Sequence, residues 1–272
     1  MEKEVFIWWT MMSAITILNI TVLIYSAILI RRSKSALSVQ RHLLSSRLLI
    51  LSAIYVAGCG FRAVLPRIDA DRIVLIDHWL SNILLGRSVA TLAEIAFAAQ
   101  WALLFYVIGK YKTDKTIVYI SYSLVPIIII AEIFSWRSTL TTINFGHIIE
   151  ESLWAFSAVL IMFCFIRLYL HTSATIKKLY AAAIICAVVY VCFMILVDIP
   201  MYYQRWLEDI VLGRNELTMT DGFRETVYFW IVRGDWNTWS DNVPWMSLYF
   251  SIAVWASIAI THIPAMRYFR KL

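Results

Sequence analysis

Charged residues are scarce in this chain, and their scarcity excludes an ordinary soluble domain. Only 15% of the 272 residues are Asp, Glu, Lys or Arg, whereas 61% are hydrophobic, and the mean hydropathy is +0.73. A soluble domain is typically about 25% charged. The composition therefore predicts a protein that lies in a membrane.

Glycine, proline and cysteine are also few, with 8, 5 and 4 copies. No Gly/Ser-rich linker and no internal repeat divides the chain, so we expect one domain over 1–272. Broken helix pairs in matched halves are missing, which argues against a transporter. The cysteines all lie in apolar segments, which excludes an extracellular fold held by disulfides. They are Cys59, Cys164, Cys186 and Cys192.

Seven apolar stretches are present, and each has the length that a helix needs to cross a bilayer. About 20 mainly apolar residues span the hydrocarbon. The stretches are 5–30, 43–65, 83–109, 116–135, 151–170, 179–199 and 244–266. The predicted fold is all-α, a polytopic bundle of seven transmembrane helices.

Basic residues predict the orientation of the bundle. All lysines except Lys3 fall in alternate loops or the carboxyl-terminal tail, and short cytoplasmic loops are enriched in Lys and Arg. The amino terminus is then outside and the carboxyl terminus cytoplasmic, and we expect the plasma (inner) membrane. Anionic lipid at the cytoplasmic face accounts for the net charge of +6 without a nucleic-acid partner. These lysines are Lys34, Lys110, Lys112, Lys115, Lys177, Lys178 and Lys271.

One connection, 200–243, is long and rich in both charge and tryptophan. Loops beyond about 15 residues usually fold or function. We expect one or two interfacial helices on the outer leaflet, which serve either as an aromatic anchor or as a cap over a binding site.

The ionisable residues inside the spans share one depth, in the outer third of the membrane. Such residues are costly and usually face a protein interior or a watery cavity. The shared depth predicts a charged pocket beneath the outer headgroups. The residues are Arg62, Arg87, Glu94, Glu132, Glu150, Glu151 and Asp198.

The third span carries the most informative stripe. Positions 87, 91 and 94 lie four and three residues apart, which places Arg87, Thr91 and Glu94 on one helix face. Trp101 extends this face inward. The alternative is a structural ion pair that only specifies packing.

The fifth span opens with His147, Glu150 and Glu151, followed by Trp154. A histidine with carboxylates three and four residues later is typical of an acid–base set or of metal ligands. Carboxylates in a first helical turn also stabilise the helix dipole. Asp198, followed by Ile199 and Pro200, is expected to end the sixth span in the same layer.

Comparison with known seven-span families excludes one cofactor and leaves one local resemblance. Microbial rhodopsins bind retinal through a lysine in the last helix, and 244–263 contains none. Ile149, Glu150 and Glu151 resemble the Pro-Ile-Glu-Glu motif of membrane-bound carotenoid cyclases, without the proline. The resemblance implies that the paired acids protonate or steer an isoprenoid carbocation.

The resulting hypothesis is an enzyme that performs acid–base chemistry on a lipidic or isoprenoid substrate. Membrane lipids and a small lipidic ligand are the expected partners, and no cofactor, metal or oligomeric state is assigned. The alternatives are a receptor that signals through a cytoplasmic partner and a transporter. The predicted catalytic residues are Glu94, Glu150, Glu151 and Asp198. The predicted substrate-binding residues are Arg62, Arg87, Thr91, His147, Trp154 and Trp101.

Overall fold

The computed structural model describes residues 1–33, 37–172 and 174–266, and these are 82% helical. The basic positions Lys34, Arg267, Arg270 and Lys271 lie outside the described residues. Seven helices are long and apolar enough to cross a membrane, which confirms the all-α class and the number of spans. They cover Lys3–Arg32, Val39–Val64, Ile83–Lys112, Lys115–Thr141, Phe145–Leu170, Ile176–Val211 and Val243–Ala265.

Two of these spans are made of more than one element. The first five are single helices, α1 to α5, with the bounds given above. The sixth consists of α6 (Ala174–Phe193), a π-helical segment (Met194–Asp198) and α7 (Ile199–Val211). The last consists of α10 (Val243–Ser247), a π-helical segment (Leu248–Ala253), α11 (Val254–Ile260) and a 3₁₀ turn (Ile263–Ala265).

The chain forms two compact units. Unit 1 contains residues 1–104 and 223–272, and unit 2 contains residues 105–222. Each unit has its own packing.

The core of unit 1 joins the first, second and last spans. Trp8 of α1 packs on Trp239, with ring centroids 6.1 Å apart, and its indole N–H donates to the Ser247 hydroxyl. In the middle of the unit, the buried Gln100 amide donates to the carbonyl oxygens of Leu48 and Ser257. These polar contacts select one packing arrangement, because apolar contacts alone distinguish poorly between alternative arrangements of helices in lipid.

A small sheet closes one end of unit 1. Strand β1 (Arg67–Ile68) pairs antiparallel with β2 (Ile73–Val74), which pairs parallel with β3 (Ile231–Val232). The Arg67 guanidinium lies against Gly86 at the start of α3, where any Cβ would clash with it. It donates to the carbonyl oxygens of Leu65, Leu80 and Asn82. One side chain thus holds the connection between the second and third spans.

In unit 2, α4 and α5 form a tight hairpin. Gly146 allows the close approach, because a Cβ there would lie 2.3 Å from the Phe134 carbonyl oxygen. The hairpin turn is held by Asp209 of α7, whose carboxylate accepts from the backbone and side-chain N–H groups of Asn144 at 2.8 and 3.0 Å. Arg214 pairs with the other Asp209 oxygen at 3.3 Å.

The expected end of the sixth helix at Asp198, Ile199 and Pro200 is wrong, because the helix continues to Val211. A proline ring inside an α-helix clashes with the carbonyl group four residues earlier. The wide π-helical turn immediately before Pro200 accommodates the ring without ending the helix.

Residues 200–243 contain the helices that the aromatic pattern predicts. Besides most of α7, they form α8 (Met219–Tyr228) and α9 (Trp236–Trp239), with β3 between them. Their place at the outer leaflet stays a prediction.

Candidate functional site

The predicted site residues fall into two groups, one in each unit. Arg62, Arg87, Thr91, Glu94 and Trp101 belong to unit 1. His147, Glu150, Glu151, Trp154 and Asp198 belong to unit 2.

In unit 1, two arginines and two acids form a continuous chain of opposite charges. Asp69, in the turn between β1 and β2, lies 3.4 Å from the Arg62 guanidinium and 3.9 Å from that of Arg87. Arg87 also donates to Glu94 at 3.1 Å. All but Glu94 are buried, and the Arg62 guanidinium lies over the Trp245 ring.

This chain of charges compensates itself. Each guanidinium already has a carboxylate partner, so the arrangement favours a role in holding α2 and α3 to the sheet. A buried pair of this kind specifies packing more than it adds stability. Anion binding by Arg62 and Arg87 stays a prediction.

Two further arginines in the same connection are buried, and both pKa values respond to burial. Burial lowers the pKa of Arg67 to about 10, although Asp69 opposes the shift. Burial also lowers the pKa of Arg72, against the opposing charges of Glu225 and Asp69. A guanidinium with a pKa near 10 remains charged at neutral pH, so the buried Arg67 is a cation that the nearby Asp69 carboxylate stabilises.

The rest of the predicted stripe on α3 is partly buried. Trp101 packs edge-on against Phe97, with ring centroids 6.1 Å apart, and Phe97 stacks on Tyr55 at 4.4 Å. These three rings form an aromatic column below the charges. Thr91, between Arg87 and Glu94, is also partly buried.

In unit 2, a histidine and a carboxylate on α5 form the shortest buried polar contact of the site. His147 Nδ1 lies 2.7 Å from Glu150 Oε2, and both side chains are about 95% buried. Helix α5 begins at Phe145, so Glu150 and Glu151 lie beyond its first turn. The interpretation that they stabilise a first helical turn is therefore wrong.

The π-helical segment brings a second acid to this dyad. Asp198, the last residue of that segment, is 2% exposed. The charged groups that act on it are Glu150 and Arg205. One turn later, the Tyr202 ring packs on the His147 ring with centroids 4.9 Å apart, and the Arg205 guanidinium lies 5.5 Å from the centre of the Tyr202 ring.

A third acid approaches from α4. A carboxylate oxygen of buried Glu132 lies within 4.8 Å of one of Glu150. Together with the imidazole of His147, these are donor types that bind Zn²⁺ or Mn²⁺ in proteins.

The other two predicted residues of unit 2 lie at the edge of this group. Glu151 is partly buried and acts electrostatically on Tyr202. Trp154 is buried, one turn beyond Glu150 on α5. We call the set of six residues the α5–α7 cluster, and its members are Glu132, His147, Glu150, Asp198, Tyr202 and Arg205.

Sequence reasoning missed Asp69, Tyr202 and Arg205 as site residues. Asp69 lies in a loop, where an acid is ordinary. Tyr202 and Arg205 follow Pro200, beyond the expected end of the sixth span. They lie four and seven residues after Asp198, so a continuing helix would have placed all three on one face.

Comparison of the chain with protein-family models, with curated proteins and with solved structures finds no match.

Proposed function

We propose that this protein is an integral membrane enzyme that performs acid–base chemistry on a lipidic substrate at the α5–α7 cluster. The observation that supports the proposal is the His147–Glu150 dyad, buried within an apolar segment together with Asp198 and Tyr202. Intramembrane ionisable groups are rarely retained without a function.

The dyad has the form of an oriented acid–base catalyst. The hydrogen bond between Glu150 and Nδ1 of His147 holds the imidazole ring in one orientation. This leaves Nε2 to exchange a proton with a substrate. The Tyr202 ring packs on the imidazole and limits its rotation.

Asp198 supplies the second acid–base group. Carboxylates that lie close together in an apolar medium do not all ionise, so one holds a proton while its neighbour accepts one. Arg205 compensates part of the remaining negative charge. A general acid and a general base in one cluster suit proton addition to a double bond and proton removal from a carbocation, as in isoprenoid chemistry.

The bilayer favours a lipidic substrate. The cluster is built on helices long and apolar enough to cross a membrane, so a hydrophobic molecule in the bilayer would reach it without passing through water. Catalysis by Glu151 and substrate binding by Trp154 are part of the same proposal. The roles predicted for Arg62, Arg87, Thr91, Glu94 and Trp101 stay separate predictions for unit 1.

Comparative lipid analysis tests the function directly. Total lipids are extracted from cells that produce the full chain, its Glu150→Gln variant or its Glu216→Gln variant, and are compared by mass spectrometry. Glu216 pairs with Arg137 at an exposed position, so its substitution is a matched control. We expect the wild type and the Glu216→Gln control to change the lipid profile in the same way. The Glu150→Gln variant should leave the profile as it is in cells without the protein.

Two results contradict the proposal. One is a wild-type lipid profile identical to that of cells without the protein. The other is an unchanged product with Glu150→Gln when circular dichroism shows the variant to be folded.

A further inference from the structure

A basic cleft in unit 2, far along α5 from its histidine–glutamate dyad, is a second binding feature of the chain. It lies where α3 ends at Lys112, α4 begins at Lys115 and α5 approaches its end at Leu170. The cleft has a volume of about 320 Å³. Its lining residues are Lys112, Thr113, Asp114, Lys115, Thr116, Arg167, Leu168 and His171.

The charge of the cleft is positive. Lys112, Lys115 and Arg167 are its three permanent cations, and Asp114 is its one carboxylate, which leaves two positive charges in excess with His171 neutral. Positive side chains at a membrane boundary attract anionic headgroups.

Asp114 and Arg167 compensate each other, which leaves the charges of the two lysines. Arg167 donates to Asp114 Oδ2 through Nε at 3.0 Å and Nη2 at 2.9 Å. The backbone N–H groups of Thr116 and Ile117 donate to the other oxygen. Although burial acts to raise the pKa of Asp114, these hydrogen bonds lower it, so the carboxylate stays ionised and fixes the guanidinium beside the two lysines.

Apolar surface continues from the cleft along both helices. On α4, Tyr119 is 70% exposed, and on α5, Leu170 is 65% exposed and Phe163 is also exposed. A molecule that combines a phosphate with hydrocarbon chains can therefore contact the cations and the apolar helix surface together.

We propose that this cleft binds the phosphate group of an anionic membrane lipid. A free phosphate compound shares the charged chemistry but not the apolar contact, which is why the lipid fits better. Lys112 and Lys115 contact the phosphate oxygens, Arg167 completes the anion site, and Leu168 forms part of its wall. The inference is independent of the chemistry at the α5–α7 cluster.

Native mass spectrometry of the full chain in neutral detergent tests the inference. The protein is titrated with phosphatidic acid, phosphatidylglycerol or phosphatidylcholine, and the double variant Lys112→Gln/Lys115→Gln is compared with wild type. We expect tighter binding of both anionic lipids than of phosphatidylcholine. The double variant loses roughly fivefold in affinity for each lysine removed, about 25-fold in total at low ionic strength.

The matched control is Lys177→Gln/Lys178→Gln. These lysines lie near the start of α6 and do not line the cleft. The control removes the same charge, and we expect it to retain anionic-lipid affinity within about threefold. Lys115→Gln alone, at an exposed position, is a second variant that preserves the fold if the double variant does not.

The source of the phosphate is tested in a separate arm with inorganic phosphate. We expect no thermal stabilisation by inorganic phosphate at concentrations where the lipids saturate the site. Stabilisation equal to that by lipid overturns the lipid assignment. Equal losses in the cleft and control variants, or equal binding of phosphatidylcholine, overturn the site itself.

Discussion

At the scale of single residues, Asp69 is the most consequential side chain of unit 1. It is the carboxylate that Arg62 and Arg87 share, in a connection that also buries Arg67 and Arg72. Removing one partner of a buried ion pair leaves an uncompensated charge, which costs far more than the pair contributes when intact.

We expect Asp69→Ala to lower the free energy of unfolding by about 3 kcal/mol, because two buried guanidinium groups lose a partner. Thermal unfolding in detergent measures the change. Asp241→Ala, at an exposed position, is the control and should be neutral. Equal stability of the two variants would show that the arginines are compensated elsewhere.

Gln100 has the corresponding role in the apolar middle of unit 1. Its amide donates to the Ser257 carbonyl oxygen at 2.8 Å, and its own oxygen accepts from the Ser257 hydroxyl at 2.8 Å. The pair therefore joins α3 to the last span by reciprocal hydrogen bonds.

A double-mutant cycle with Gln100→Leu and Ser257→Ala measures this contact. We expect a coupling energy of about 1 kcal/mol, since hydrogen bonds between membrane helices are worth roughly 0.6 to 2 kcal/mol. Additive effects in chemical denaturation would contradict the pairing.

At the scale of elements, the two π-helical segments are the features that most affect the site and the core. In the sixth span, the segment ends at Asp198 and presents it to Glu150 and Arg205. In the last span, the segment Leu248–Ala253 exposes backbone carbonyl groups to side chains of other helices. Such segments often occur at functional sites, because they reorient side chains within a continuous helix.

Asn19 stabilises the second π-helical segment. Its amide donates to the Phe250 carbonyl oxygen at 2.9 Å, and its oxygen accepts from the Trp255 indole N–H at 2.7 Å. We expect Asn19→Leu to destabilise the protein by about 2 kcal/mol, because a buried carbonyl and an indole N–H lose their partner.

Thermal unfolding checks this expectation, with Thr21→Ala as the control. Thr21 is exposed, and its hydroxyl donates to the Ile17 carbonyl oxygen of its own helix. A larger effect of Thr21→Ala than of Asn19→Leu would refute the proposed contact.

The start of α4 has a pH-dependent anchor in Asp114. Because the folded pKa lies below the ordinary value of 3.8, the stabilisation is complete above that value and is lost as the pH falls through the lower folded pKa. Asp114→Asn keeps the helix cap but removes the charge that Arg167 binds.

We expect the melting temperature of the wild type to exceed that of Asp114→Asn above pH 5, with the difference shrinking as the pH falls below 3.8 and disappearing below the folded pKa. Scanning calorimetry at several pH values measures it. The pair is partly exposed, with 35% of the Arg167 side chain and 16% of the Asp114 side chain accessible, so solvent screening keeps the difference small. A difference that grows on acidification would contradict the assigned ion pair.

At the scale of the whole molecule, the distribution of basic residues predicts the orientation. We expect Thr116→Cys to be protected and Asn237→Cys to be labelled by a membrane-impermeant maleimide in intact cells. Both positions are exposed in the structure, and Cys186 and Cys192 are replaced by alanine beforehand. The reverse labelling pattern would invert the orientation.

The seven spans were predictable because each depends on local composition. A run of apolar residues is long enough to cross the bilayer whatever its neighbours are, and all seven predicted runs are helical. The sixth helix was predicted too short, since Pro200 was interpreted as its end. Its accommodation depends on the π-helical turn before it, which has no clear sequence signal.

The candidate site was predictable in part. The cost of burying charge identified Arg62, Arg87, Glu94, Glu150 and Asp198 as residues in need of partners. The partners of these residues were harder to predict, because Asp69 lies in a short connection and Arg205 lies beyond a proline.

The amino-acid sequence by itself determined the membrane class, the number of apolar helices long enough to span and the set of charges within them. Each of these follows from the hydropathy of consecutive residues. Only the tertiary structure decided how those charges are grouped. Asp69 joins Arg62 to Arg87, and the α5–α7 cluster assembles around the His147–Glu150 dyad. One extra residue turns the following part of a helix by about 100°, so a local change in winding selects which side chains meet.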